Sequence, residues 1–184
     1  MFERIIIFLV IILAAVLQIS FFPNIFPSGS APEAVLLLII FWVSQNGYEK
    51  NWKRAIFAGI ILDVFYFWPI GVNIMAISLT AFGIGYLTRR FSVSHKNLGF
   101  FVMLVIVIAG VIANNLFLSF FAAIYNHLEP NRINYPLLDF WNNKMIFRML
   151  TNLMLFTLIY WPLLTLEKFL SFYDKKSMQG RFFR

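Results

Sequence analysis

Long apolar runs, each bounded by charged residues, proline or glycine, dominate the pattern of this chain. A helix needs roughly 20 apolar residues to cross the hydrocarbon core of a bilayer. Six runs qualify as spans: residues 5–22, 33–45, 52–68, 72–87, 98–125 and 145–166. The pattern therefore predicts an all-α integral membrane protein, a six-transmembrane-helix bundle forming one domain over residues 1–184, with a basic tail at 167–184.

The composition agrees with a membrane protein and excludes an ordinary soluble domain. Hydrophobic residues make up 61% of the chain and charged residues 12%, against roughly 45–50% and about 25% in soluble domains. The 23 Phe and 5 Trp suit lipid contact and the interfacial aromatic belts. The chain has no cysteine, which excludes a disulfide framework, a thiolate metal site and a cysteine nucleophile.

The net charge of +7 is explained better by membrane topology than by nucleic-acid binding, because the basic residues lie in short clusters between apolar runs. Short cytoplasmic loops collect Lys and Arg. Placing both termini in the cytoplasm puts 12 of the 15 basic residues there and leaves Arg132, Lys144 and Arg148 outside. The basic tail would meet the anionic inner leaflet or remain solvated, and the resemblance described below implies the bacterial inner membrane. A cleavable signal sequence is the alternative for the first run.

Asp63 is the acid that lies well inside a predicted span. A charge at the bilayer centre is costly, so it should face protein or a wet cavity. Gly59 lies four residues earlier on the same helical face and would let a neighbouring helix approach. Pro69, Gly71 and Asn73 follow at a break where backbone groups lose their helical partners. We expect Asp63 to stabilise this turn by accepting hydrogen bonds from it. A role in a proton relay and a role in substrate contact are the alternatives.

The sixth span carries a second polar line. Lys144, Arg148 and Asn152 recur every four residues and share one helical face. Snorkelling of the two cations to the outer interface is one explanation. The other is that Arg148 pairs with Asp63 and neutralises it.

The other polar residues indicate helix packing rather than chemistry. Asn114 and Asn115 in the fifth span and Gln18 in the first suit interhelical hydrogen bonds. His95 and His127 have no acid or nucleophile at a recognisable spacing. We therefore predict that the chain has no catalytic residue, no cofactor and no metal site, and that it is not an enzyme.

Gly59, Asp63, Pro69, Gly71 and Asn73 together resemble the rod shape-determining protein MreD family, in which a glycine, an acid four residues on and a Pro-x-Gly-x-Asn turn join two helices. The resemblance extends to Gln18, to the pair Pro32 and Glu33, and to the pair Arg89 and Arg90. It implies that the five motif residues serve structure or partner contact.

The resemblance also implies a function. An MreD-like protein would be a non-enzymatic scaffold of the elongation machinery that binds a membrane-anchored MreC-like protein. MreB, RodA and a class B penicillin-binding protein would form the wider complex that directs lateral peptidoglycan synthesis and cell shape. The implied fold resembles the S component of energy-coupling factor transporters. A second hypothesis is therefore an S component that captures a vitamin or a metal near Asp63, Asn73 and residues 126–143.

Overall fold

The structure, a computed structural model, describes residues 2–26, 30–67, 69–90, 99–128 and 143–179. Throughout these ranges the regular structure is helical, which confirms the all-α prediction for them. The helices are α1 (Phe2–Val16), α2 (Phe22–Ile25), α3 (Ala34–Asn46), α4 (Tyr48–Phe65), α5 (Val72–Arg90), α6 (Phe100–Leu128) and α7 (Asn143–Gln179). Most of the predicted outer loop, His95 and the last residues of the basic tail lie outside the described residues.

A π-helical turn, Leu17–Phe21, joins α1 to the short α2. The Phe22 N–H donates to the Leu17 carbonyl, five residues back. Pro23 follows at once and has no N–H to continue the regular ladder. The extra residue in the turn accompanies the burial of Gln18, which is 5% exposed although most of this stretch faces outward.

Helix α3 is the core of the bundle. Every residue from Ala34 to Ser44 is buried, and α3 contacts α1, α4, α5, α6 and α7. A helix that is apolar on all sides can be surrounded by lipid or by other helices, and here other helices surround it. The structure therefore places this uninterrupted apolar segment at the centre of the bundle.

Helices α4 and α5 form a closely packed antiparallel hairpin, in which glycine permits backbone contact at two levels. A Cβ atom built on Gly59 would lie 2.4 Å from Ile74 Cα, and one built on Gly85 would lie 2.7 Å from Tyr48 Cβ. Small residues that let helix backbones approach are typical of packing in membranes, where lipid removes the hydrophobic drive between helices.

Three helical segments of the described chain are long and apolar enough to cross a membrane: Ile5–Ile25, Phe100–His127 and Met145–Phe169. Helix α3 is apolar but shorter. Large apolar side chains also cover the outer surface of α7, among them Leu150, Met154, Leu158 and Trp161. These features fit a membrane protein; the six-span count, the placement of the termini and the S-component resemblance stay predictions.

Candidate functional site

The carboxylate of Asp63 closes the turn between α4 and α5. Its Oδ2 accepts a hydrogen bond from the Gly71 N–H at 2.8 Å, and its Oδ1 accepts from the Asn73 N–H at 2.8 Å and from Asn73 Nδ2 at 2.9 Å. Asp63 is fully buried and Asn73 is 3% exposed. We refer to these three residues as the Asp63 clamp.

The clamp places a negative charge at the beginning of α5. The first N–H groups of a helix have no partner within it and carry the positive end of its dipole. Two backbone N–H groups at this end, those of Gly71 and Asn73, point at the Asp63 carboxylate. Hydrogen bonds to a charged group contribute about 1.5–3 kcal/mol each, so the clamp offsets part of the cost of burying an acid.

Gly59 lies one helical turn before Asp63 and brings α5 within reach of the carboxylate. Its missing side chain leaves room for the backbone of Asn73 and Ile74. A larger residue would push the two helices apart at the level where the clamp forms. Because Gly59 and Asp63 are four residues apart, they lie on the same face of α4. The face on which α5 packs closely is therefore also the face that carries the Asp63 hydrogen bonds.

The turn that the clamp holds has an unusual backbone and an apolar exterior. Phe67 has φ of 52° and Gly71 has φ of 124°. The left-handed region is uncommon for a residue with a side chain and persists where the surroundings hold it. The Phe67 side chain is 95% exposed and that of Ile70 is 77% exposed. The turn therefore presents two apolar side chains from a fixed base.

Arg148 has a different acid as its partner from the one that the sequence suggested. Its Nη1 lies 3.5 Å from Glu33 Oε1 and donates to Asn115 Oδ1 at 2.7 Å. Both carboxylate oxygens of Asp63 instead accept hydrogen bonds from the N–H groups of Gly71 and Asn73. The predicted pairing of Arg148 with Asp63 is thus corrected to Glu33, because the nearby turn already supplies Asp63 with donors.

The ion pair belongs to a group of polar side chains that connects α3, α6 and α7, which we call the polar layer: Glu33, Asn114, Asn115, Arg148 and Asn152. Asn114 Nδ2 donates to Glu33 Oε2 at 3.3 Å, and the Glu33 N–H donates to Asn152 Oδ1 at 2.8 Å. The Glu33 N–H bond satisfies a donor at the beginning of α3. Asn114 Oδ1 is buried and has no hydrogen-bond partner.

Gln18 connects α1 to this end of the bundle. Its Oε1 accepts from the Val35 N–H at 3.0 Å, and its Nε2 donates to Tyr66 Oη at 3.1 Å. One side chain on the π-helical turn therefore links the beginning of α3 with the end of α4. Hydropathy predicted a polar contact for Gln18 but carried no information on its partners.

The opposite end of the bundle holds a second set of polar contacts. Buried Asn51 donates through Nδ2 to the carbonyls of Trp42 and Gly47, at 3.0 and 2.8 Å, and accepts from Arg54 Nη1 at 2.8 Å. The Arg54 guanidinium lies 5.3 Å from the Trp42 ring centroid, within cation–π range. These contacts stabilise the tight connection between α3 and α4, where Gly47 has φ of 78°.

An exposed ion pair lies at the same end. Arg89 Nη2 is 3.0 Å from Glu49 Oε1, with both side chains more than half exposed. Within the described ranges, no group of three or more His, Asp or Glu side chains could hold a metal ion.

Sequence reasoning named the five motif residues and Arg148, whose role in structure or partner contact stays a prediction, and it missed Glu33 as the acid beside Arg148. The available signal was an acid at the first position of a predicted span, directly before an unbroken apolar run.

Comparison with known proteins gives one family. The family model for the rod shape-determining protein MreD matches residues 1–166. No curated protein and no solved structure matches the chain.

Proposed function

The chain belongs to the rod shape-determining protein MreD family, and from this membership we propose that it is a non-enzymatic membrane scaffold of the elongation machinery. It binds an MreC-like membrane-anchored protein and takes part in directing lateral peptidoglycan synthesis. MreB, RodA and a class B penicillin-binding protein form the wider complex. The observation that carries the proposal is the family match over most of the chain. The family consists of shape-determining structural proteins.

The α4–α5 turn is the contact site that we propose for the partner. The side chains of Phe67 and Ile70 project from a turn whose base is held by the three hydrogen bonds of Asp63. An apolar anchor that is already fixed before binding loses little conformational entropy on association. Aromatic side chains are frequent among the residues that dominate binding energy. Asp63 and Gly59 would then act indirectly, by fixing the turn.

The test is capture of an MreC-like protein by the tagged chain from its native membranes. We expect wild type to retain this single-span protein and Phe67→Ala to retain much less, without loss of thermal stability, because the ring is 95% exposed. Met75→Leu on α5, whose side chain is 54% exposed, is the matched control and should bind as wild type does.

Two results would contradict the proposal. Wild type that retains no MreC-like protein would remove the scaffold function. Phe67→Ala that binds as well as Met75→Leu would remove the turn as the contact site while leaving the scaffold function in place. Copurification of a vitamin, or of paired ATPases with a coupling subunit, would favour the transporter S component instead.

A further inference from the structure

An apolar groove of about 440 Å³ lies between α5 and α6, where α5 ends beside the beginning of α4. We call this the basic end of the bundle, because Lys50 and Lys53 lie in the first turns of α4. The α6 side of the groove belongs to the segment Phe100–His127, which is long and apolar enough to cross a membrane. The groove therefore borders the hydrocarbon of the bilayer. Its lining residues are Ile84, Leu87, Thr88, Val102, Val105, Ile106 and Ala109.

The groove is closed toward the core and open toward lipid. At its inner end α6 lies close to α5 and α3, because a Cβ atom built on Gly110 would lie 2.8 Å from Ile84 Cδ1. The floor residues Ile84 and Thr88 are buried, whereas Val102 and Val105 are exposed at the rim. From Ala109 to Val102 the groove follows seven residues of helix toward the basic end, about 10 Å.

The chemistry of the lining favours hydrocarbon over water. Thr88 supplies the one side-chain hydroxyl of the lining, and this hydroxyl lies 2.9 and 3.1 Å from the carbonyls of Ile84 and Gly85. A buried water needs roughly 2–4 polar partners, which these side chains do not offer. An empty groove would leave its walls without van der Waals contacts on one side. A hydrocarbon group is therefore the occupant that the lining fits.

The size of the groove excludes a whole helix. A helix with its side chains is about 10–12 Å wide, so a 10 Å length of it occupies about 800–1,100 Å³. The groove offers about 440 Å³, which is about half of that volume or less. A single hydrocarbon chain is narrow enough to enter.

Cationic side chains lie just beyond the open end of the groove. Arg89 follows Thr88 directly, and Arg90 ends α5. One residue is about 1.5 Å of helix, so Arg89 lies at nearly the level where the groove ends. Its ion pair with Glu49 is exposed, and exposed pairs of this kind are weak. A phosphate at this level would gain a charge-assisted contact with the guanidinium.

We propose that the groove binds one acyl chain of an acidic phospholipid, whose phosphate lies at the level of Arg89. The chain supplies the missing van der Waals contacts, and the headgroup supplies the negative charge. This inference concerns a lipid ligand and does not depend on the proposed partner contact, which lies at the opposite end of α5.

Native mass spectrometry tests the proposal, because it weighs the lipid that stays on the protein. Each full-length protein is reconstituted in vesicles of equal parts phosphatidylglycerol and phosphatidylethanolamine, returned to detergent and measured. Ala109→Phe fills the groove, and Leu116→Phe adds bulk to the exposed surface of α6 outside the groove as its control. Arg89→Gln removes the charge beside the groove, and Lys50→Gln is its control at the basic end.

We expect wild type and Leu116→Phe to retain one phosphatidylglycerol, and Ala109→Phe to lose most of it with an unchanged thermal midpoint. Wild type that retains no lipid would overturn the proposal, and so would equal retention by Ala109→Phe and Leu116→Phe. A protein that copurifies with wild type in place of lipid and is lost from Ala109→Phe would mean that the groove binds a helix instead. If Ala109→Phe does not fold, Val102→Trp at the exposed rim replaces it, with the same expected and contrary results.

The headgroup is tested by the choice between the two lipids. Arg89→Gln should retain phosphatidylglycerol and phosphatidylethanolamine about equally, whereas Lys50→Gln should keep the preference of wild type for phosphatidylglycerol. A preference that survives in Arg89→Gln, or that is lost equally in Lys50→Gln, would overturn the role of Arg89.

Discussion

Replacing Gly59 with alanine should separate α4 from α5. The new Cβ would lie 2.4 Å from Ile74 Cα and 2.7 Å from Ile74 N, whereas carbon atoms pack at about 3.5–4.0 Å. The obstructing atoms belong to the backbone and cannot rotate away, so the helices must move apart by about 1 Å or more. Overpacking of this kind costs about 1–3 kcal/mol. The better helix propensity of alanine offsets about 1 kcal/mol of it.

Gly83→Ala is the matched control for this substitution. Gly83 is also helical, on α5, but a Cβ built there meets no atom within 4 Å. Only the propensity gain of about 1 kcal/mol then remains. The two variants should therefore shift the free energy of unfolding in opposite directions.

The assay is thermal unfolding of both purified variants and wild type in the same detergent, followed by circular dichroism. A change of 1 kcal/mol moves the midpoint by about 2–4 °C in a protein of this size. We expect Gly59→Ala to unfold several degrees below wild type and Gly83→Ala at or slightly above it. Equal midpoints for the two variants would refute the close approach of α4 and α5 at Gly59.

Three further predictions use the same unfolding assay. Asp63→Leu should lower stability by more than about 2 kcal/mol, because the two N–H groups of the turn lose their acceptor; Asp63→Asn keeps one oxygen and should lose less, and equal losses would argue against the clamp. Glu33→Gln and Arg148→Gln should each destabilise the protein by leaving one charge without its partner. The double variant should lose less stability than the sum of the two single losses. A loss equal to that sum would mean that Glu33 and Arg148 are not coupled. Arg89→Gln should cost at most about 1 kcal/mol, because its ion pair with Glu49 is exposed; a larger loss would show that Arg89 has a more important contact.

The Asp63 clamp was predictable because it is local. Asp63 lies eight and ten residues from Gly71 and Asn73, so a short turn necessarily brings them near each other. The acid needs donors, and the break at Pro69 releases N–H groups. Composition and spacing together therefore indicated both the lock and the role of Gly59.

The partner of Arg148 was not predictable in this way. Glu33 and Arg148 are far apart in the chain, on helices that meet only after the bundle has formed. Hydropathy indicates which segments enter the membrane but not how each helix is rotated about its axis. The partners of Gln18 were unpredictable for the same reason, since Val35 lies on α3 and Tyr66 lies at the end of α4.

By itself, the sequence determined which segments are helical, that lipid is their solvent, and how the chain turns at Pro69 and Gly71. These outcomes depend on transfer free energy and on backbone sterics, which act over a few neighbouring residues. Only the tertiary structure decided that α3 is the central helix in contact with its neighbours on all sides, that Glu33 faces Arg148, and that Asn114 Oδ1 has no donor. Those outcomes depend on how the helices are arranged and rotated in the bundle. Contacts between segments that are distant in the chain determine that arrangement.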